Sequence, residues 1–154
     1  MNQSNVWMIT IKLLANMGKI NLRDLKKYED IKGTLIKMAG DFLNTVFDNT
    51  PNGYWFLDLS ENRINIGDVH VYNGEEIEIE YYDVYDLNDI AYISELRADK
   101  FIKDPIKYAK EWCELQYQLE KKRRENEAER KAEMEERERD LAEYERIKKK
   151  YKLD

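Results

Sequence analysis

Residues Gly53–Asp86 read GYWFLDLSENRINIGDVHVYNGEEIEIEYYDVYD. Strict alternation of apolar and polar residues marks a half-buried strand. Ile77, Ile79 and Tyr81 alternate with Glu76, Glu78, Glu80 and Tyr82. Val69 and Val71 alternate with Asp68, His70 and Tyr72. Between the two runs sits Asn73-Gly74, whose residues tolerate positive φ and so favour a tight hairpin. Upstream, Tyr54–Leu59 reads as another strand, joined through Ser60-Glu61-Asn62 to Arg63–Ile66, with a bulge at Gly67. The expected sheet is a three-stranded antiparallel meander over about residues 54–85, with Val69, Val71, Ile77, Ile79 and Tyr81 packed on helices.

The opposite face of that sheet is acidic. Alternate residues on a strand stand about 6.6 Å apart, twice the rise per residue. Glu76, Glu78 and Glu80 therefore form a row of carboxylates, with Asp68, His70 and Tyr72 across the turn. The spacing is comparable to that of phosphates along a nucleic-acid strand. Tyrosine beside carboxylate suits the arginine and lysine of a partner. The candidate partner-binding residues are Asp68, Tyr72, Glu76, Glu78, Glu80, Tyr82, Asp83, Tyr85 and Asp86. The competing explanation is a solvated face whose charges block edge-to-edge pairing.

Outside this stretch the pattern is helical. Val6–Met17 is ambiguous: its β-branched residues suit a strand, whereas Trp7, Ile11 and Leu14, followed by Gly18, suit a helix. We take it as helix. Asn21 caps Leu22–Glu29, with Asp24 near the positive helix end. Lys32-Gly33 reads as a break, and Thr34 as the cap of a next helix with its stripe at Leu35, Met38, Phe42, Leu43 and Val46. After the sheet, Asn88 or Asp89 caps a helix through Phe101. Asp104-Pro105 then supplies an N-cap and a first-turn proline.

No Gly or Pro follows Pro105. A continuous helix over 106–151 would be about 69 Å long. Trp112, Leu115 and Leu119 can dock its start. Its middle is charged, with Glu–Arg or Glu–Lys pairs at i, i+4, among them Glu120–Arg124 and Glu127–Lys131. A heptad run on from Trp112 would place Lys122, Asn126, Glu129 and Glu133 at the seam, which fails as a continuous coiled coil. Leu141, Tyr144, Ile147 and Tyr151 restore a short apolar stripe. The chain divides on this reading into an α+β head, 1–119, and an extended helix, 120–154, that is an arm for a partner or for a homodimer.

The 154 residues carry a formal charge of −6. Residues 1–40 sum to +4, residues 41–104 to −11 and residues 105–154 to +1. The single cysteine, Cys113, excludes an internal disulfide framework and a multi-cysteine zinc site. The first residues lack a basic n-region and an unbroken apolar run, so the expectation is a cytoplasmic protein with no membrane contact. Chemistry-bearing motifs are sparse. His70 is the one histidine. Cys113 has no histidine near it in sequence to act as base. There is no glycine-rich phosphate loop. The acidic pairs Asp83/Asp86 and Asp86/Asp89 do not match the calcium-loop pattern. The expectation is a non-enzymatic chain without cofactor or metal.

Two readings follow. In the first, the acidic, tyrosine-bearing face engages a basic, nucleic-acid-binding protein and inhibits or regulates it by occupying its phosphate site. In the second, helices 6–17, 22–29 and 34–47 followed by a hairpin resemble the element order of a winged helix. That resemblance covers about 40% of the chain, on helix order without a motif. It implies a DNA-binding transcriptional regulator that dimerises through the C-terminal helix, with Lys26, Lys27, Lys32 and Lys37 on DNA. The acidic wing opposes it, because phosphate would repel it.

Overall fold

The computed structural model describes Gly18, residues 21–58 and residues 64–152. Its element order is α1 (Leu22–Asn49), β1 (Ile64–Tyr72), β2 (Glu76–Asp83), β3 (Ile90–Arg97), α2 (Ala98–Lys103) and α3 (Pro105–Tyr151). This is an α+β arrangement with a three-stranded antiparallel sheet in the order β1-β2-β3. The expected helix over 6–17 lies outside the described residues.

The hairpin forms where the Asn-Gly pair places it. Asn73 and Gly74 have φ of 52° and 70°, and the Glu75 N–H donates to the Tyr72 carbonyl at 3.0 Å. The β1–β2 register shifts between Ile66 and Asp68, which puts a bulge at Gly67. The third strand, however, is β3 and not Tyr54–Asp58, which is irregular. The residues expected to be helical after Asn88 are instead Ile90–Arg97 in extended conformation, followed by the short α2. Ala91 and Ile93 point inward and Tyr92 and Ser94 outward, but the next inward residue is Leu96. Glu95, at φ 60°, is the extra residue of a second bulge opposite the Ile77–Ile79 step. A bulge adds one residue to one strand and breaks the two-residue period. The spacing Ile93–Leu96 therefore imitates a helix.

A second difference is that α1 is one helix of 28 residues, about 42 Å long. Asn21 caps it as expected, its Oδ1 accepting the Asp24 N–H at 3.0 Å. The expected break at Lys32-Gly33 is absent: the Thr34 hydroxyl donates back to the Asp30 carbonyl at 2.9 Å instead of capping a new helix. A lone glycine inside a helix costs roughly 1 kcal/mol against alanine, too little to end a helix whose later turns are packed. Thr50 ends it, held extended at φ −73°, ψ 119° by the proline that follows. Because Gly33 has open space around its Cα and lies inside the helix, Gly33→Ala is expected to stabilise the chain by about 0.5–1 kcal/mol in urea denaturation. A helix break there would make the same change destabilising.

The core is one cluster. Ala39, Phe42, Leu43 and Val46 of α1 meet Val69, Ile77, Ile79 and Tyr81 of the hairpin, Ala91, Ile93 and Leu96 of β3, Phe101 of α2 and Ala109 and Cys113 of α3. Phe42 sits at its centre, its ring 5.9 Å from Phe101, 5.8 Å from Tyr108 and 5.9 Å from Trp112. The 54–58 segment packs as an aromatic loop on α3. Tyr54 lies 4.9 Å from Tyr117, and Phe56 lies 6.2 Å from Trp112. Its short alternation is therefore satisfied by helix side chains rather than by a neighbouring strand.

The long helix starts as expected. Asp104 caps it by accepting the Lys107 N–H at 3.0 Å, and Pro105 occupies its first turn. It runs for 47 residues, about 70 Å. Ala109 and Cys113 are buried, and every residue from Lys121 to Ile147 is exposed. At the head boundary Arg124 stacks 4.2 Å from the Tyr54 ring and donates to the Gly53 carbonyl at 2.7 Å. Among the described residues no helix is long and apolar enough to cross a membrane.

Candidate functional site: the acidic face of the sheet

The register sorts the outer face of the sheet into rows. Asn65, Tyr82 and Ile90 form one, Asp68, Glu80 and Tyr92 the next, and Tyr72, Glu76 and Arg97 the last, with His70 beside Glu78 between them. The inward residues of β2 are Ile77, Ile79, Tyr81 and Asp83. Glu76, Glu78, Glu80 and Tyr82 consequently share the outward face of the central strand, as the alternation requires.

The carboxylates are ordered by short contacts. Glu78 accepts the Tyr72 hydroxyl at 3.0 Å and the Ser94 hydroxyl at 2.6 Å. The Glu78 carboxylate, as hydrogen-bond acceptor, raises the Tyr72 phenol above its ordinary value. Glu80 faces His70 Nε2 at 3.4 Å, and that imidazole lies 6.5 Å from the Tyr72 ring. Glu76 is exposed. The Tyr72 hydroxyl is thus held beside a carboxylate, and Tyr92 is an exposed ring on the same face.

Three expectations need correction or refinement. Asp83 is 2% exposed and is not on the surface. It shares the inward parity of Tyr81, and its Oδ1 accepts the Tyr85 N–H at 2.8 Å, which turns the chain out of β2. Tyr85 and Asp86 lie beyond the strand, in the connection to β3. Asp86 Oδ1 accepts the Asn88 N–H at 3.0 Å, so it builds the turn, while Tyr85 is exposed. Asp68 is on the outer face but is paired with Lys32 at 2.8 Å. Burial by itself would lower the Lys32 ammonium, but the hydrogen bond and charge of Asp68 outweigh it and raise it. Tyr92 and Ser94 belong to the face and were not among the candidates; the alternation Ala91–Ile93 against Tyr92–Ser94 was the signal for them.

The four lysines of the DNA reading all lie on α1. Lys26, Lys27 and Lys37 are exposed along α1, but Lys32 is engaged by Asp68. One continuous helix over 22–49 leaves no turn between a supporting and a recognition helix there. Among the described residues no group of three or more His, Cys, Asp and Glu side chains is arranged to hold a metal ion. Cys113 is buried against the Val46 carbonyl at 3.8 Å, and burial pushes its thiol up to about 11. It is a packed side chain, kept in the form that is not nucleophilic.

A second concave surface lies where α3 leaves the head. Trp55, Phe56, Gln116, Leu119, Arg123 and Arg124 line an open groove, with Trp55 84% exposed. Glu120 ties Arg123 and Arg124 together at 2.7 and 2.9 Å. Those two guanidiniums hold its carboxyl down at about 2. Comparison of the chain with known protein families, with characterised proteins and with solved structures returned no match.

Proposed function

We propose that this protein is a non-catalytic interaction module that engages a basic, nucleic-acid-binding protein through the outer face of its sheet. The supporting observation is the row Glu76, Glu78 and Glu80 on the central strand, framed by Tyr72, Tyr82 and Tyr92, while the core and α1 occupy the other face. Carboxylates about 6.6 Å apart offer a basic cleft charges at a spacing it already accepts from phosphates. The tyrosines add flat, amphipathic contact area at low entropy cost, as interface hot spots do. Occupying the phosphate site makes the module an inhibitor or regulator of its partner.

The test compares two variants of equal net charge. Glu76, Glu78 and Glu80 are changed together to Gln in one, and Glu125, Glu129 and Glu133 on α3 in the other. Immobilised protein is expected to capture from a cytosolic extract a basic protein that salt or single-stranded nucleic acid releases. The sheet variant is expected to lose at least about tenfold in capture, the helix variant little. Equal loss by both would reduce the effect to bulk charge. Binding of labelled duplex DNA to the chain itself, weakened by Lys26→Ala or Lys37→Ala, would favour the DNA-binding reading instead.

A further inference from the structure

Beyond the sheet face, the distal end of α3 carries an exposed apolar stripe. Leu141, Tyr144, Ile147 and Tyr151 are all exposed large side chains, spaced to lie along one side of the helix. The stripe straddles a reversal of charge. Residues 133–145 contain seven acidic and two basic side chains, a net −5. Residues 146–152 contain Arg146, Lys148, Lys149, Lys150 and Lys152 and no acid, a net +5. The helix is continuous to Tyr151, so the basic tip cannot turn back onto its own acidic segment.

We propose that this end of α3 pairs antiparallel with the same segment of a second copy. A two-fold axis near Tyr144 lays Leu141 beside the second copy's Ile147 and brings the two Tyr144 side chains together. It also sets the basic segment 146–152 along the second copy's residues 136–142, where Glu136, Glu138 and Asp140 outnumber Arg137 and Arg139. Parallel pairing would instead stack basic tip on basic tip and acid on acid, which costs stability. The sheet face of another copy would satisfy the lysines but not the apolar stripe, which needs a partner of matching period. A second copy offers both. The interface is about 20 residues long with few apolar layers, so the dimer is weak and salt-sensitive. It would hold the two heads about 70 Å apart at 1.5 Å per residue, presenting two acidic faces at opposite ends.

Sedimentation velocity on the full chain at low salt tests this. The native protein is expected to dimerise reversibly, and salt to weaken the dimer. Lys148→Glu, Lys150→Glu and Lys152→Glu together should weaken it at least about tenfold, as should Glu136→Lys, Glu138→Lys and Asp140→Lys together. An equimolar mixture of the two variants should restore dimerisation, because each tip then faces the opposite sign. Spin labels at Lys131→Cys are expected about 40 Å apart in the dimer, against about 10–15 Å in a parallel pair; native chain treated alike corrects for Cys113. A native chain that stays monomeric at high concentration overturns the proposal. So does a mixture that fails to restore pairing, or a short label distance. Loss of the dimer on changing Glu76, Glu78 and Glu80 to Gln would overturn it in favour of tip-on-sheet contact.

Discussion

Phe42→Ala is expected to lower the free energy of unfolding by about 3–5 kcal/mol, the cost of truncating a fully enclosed phenylalanine. Phe42 is 0% exposed, and its ring touches side chains from α2 and α3 at once, within 6 Å of Phe101, Tyr108 and Trp112. No single neighbour can move to fill the space, because each is fixed by its own element. Urea denaturation followed by tryptophan fluorescence measures it, with Trp112 as a reporter beside the site. Leu22→Ala, on the exposed first turn of α1, should change stability by less than about 0.5 kcal/mol. A loss below about 1 kcal/mol for Phe42→Ala would mean that α1 and α3 do not meet through this ring.

The second large effect concerns where the head ends. A chain stopped after Asn126 keeps Tyr108, Ala109, Trp112 and Cys113 in the core, and keeps the Arg124 contacts with Gly53 and Tyr54. It is expected to melt within a few degrees of the full chain. A chain stopped after Lys103 loses all four core side chains. Removing one tryptophan side chain costs about 3–5 kcal/mol, and small domains have only about 5–15 kcal/mol in total. That shorter chain should therefore show no cooperative transition by circular dichroism. If it melts cooperatively, α3 is an appendage rather than part of the core.

The features legible in the sequence are those set by local chemistry. Asn73-Gly74 places the hairpin, because few pairs accept positive φ twice. Asn21 and Asp104-Pro105 place two helix starts through their caps. The outward row Glu76–Glu78–Glu80 follows from parity alone. Parity was also sufficient to place Asp83 inside, since it is two residues beyond Tyr81; reading it by charge put it on the wrong side. Where long-range packing decides, local reading failed. The bulge at Glu95 disguised β3 as helix. Lys32-Gly33-Thr34 carries the signs of a helix end followed by a cap, yet the packed turns from Leu35 onward carry the helix through it. Tyr54–Asp58 has a strand-like pattern, but its aromatic rings are taken by α3. The Lys32–Asp68 pair joins positions 36 residues apart, and no periodicity reports such a contact.

Carboxyl-group footprinting of the chain, alone and with the basic protein that salt releases from it, tests the acidic face most directly. The reagent modifies accessible Asp and Glu side chains, and mass spectrometry reads each position. Glu76, Glu78 and Glu80 are expected to be modified in the free chain and strongly protected in the complex, with Glu125 and Glu129 unchanged. Protection confined to α3, with the three sheet carboxylates reacting as in the free chain, would contradict the assignment of the partner to this face.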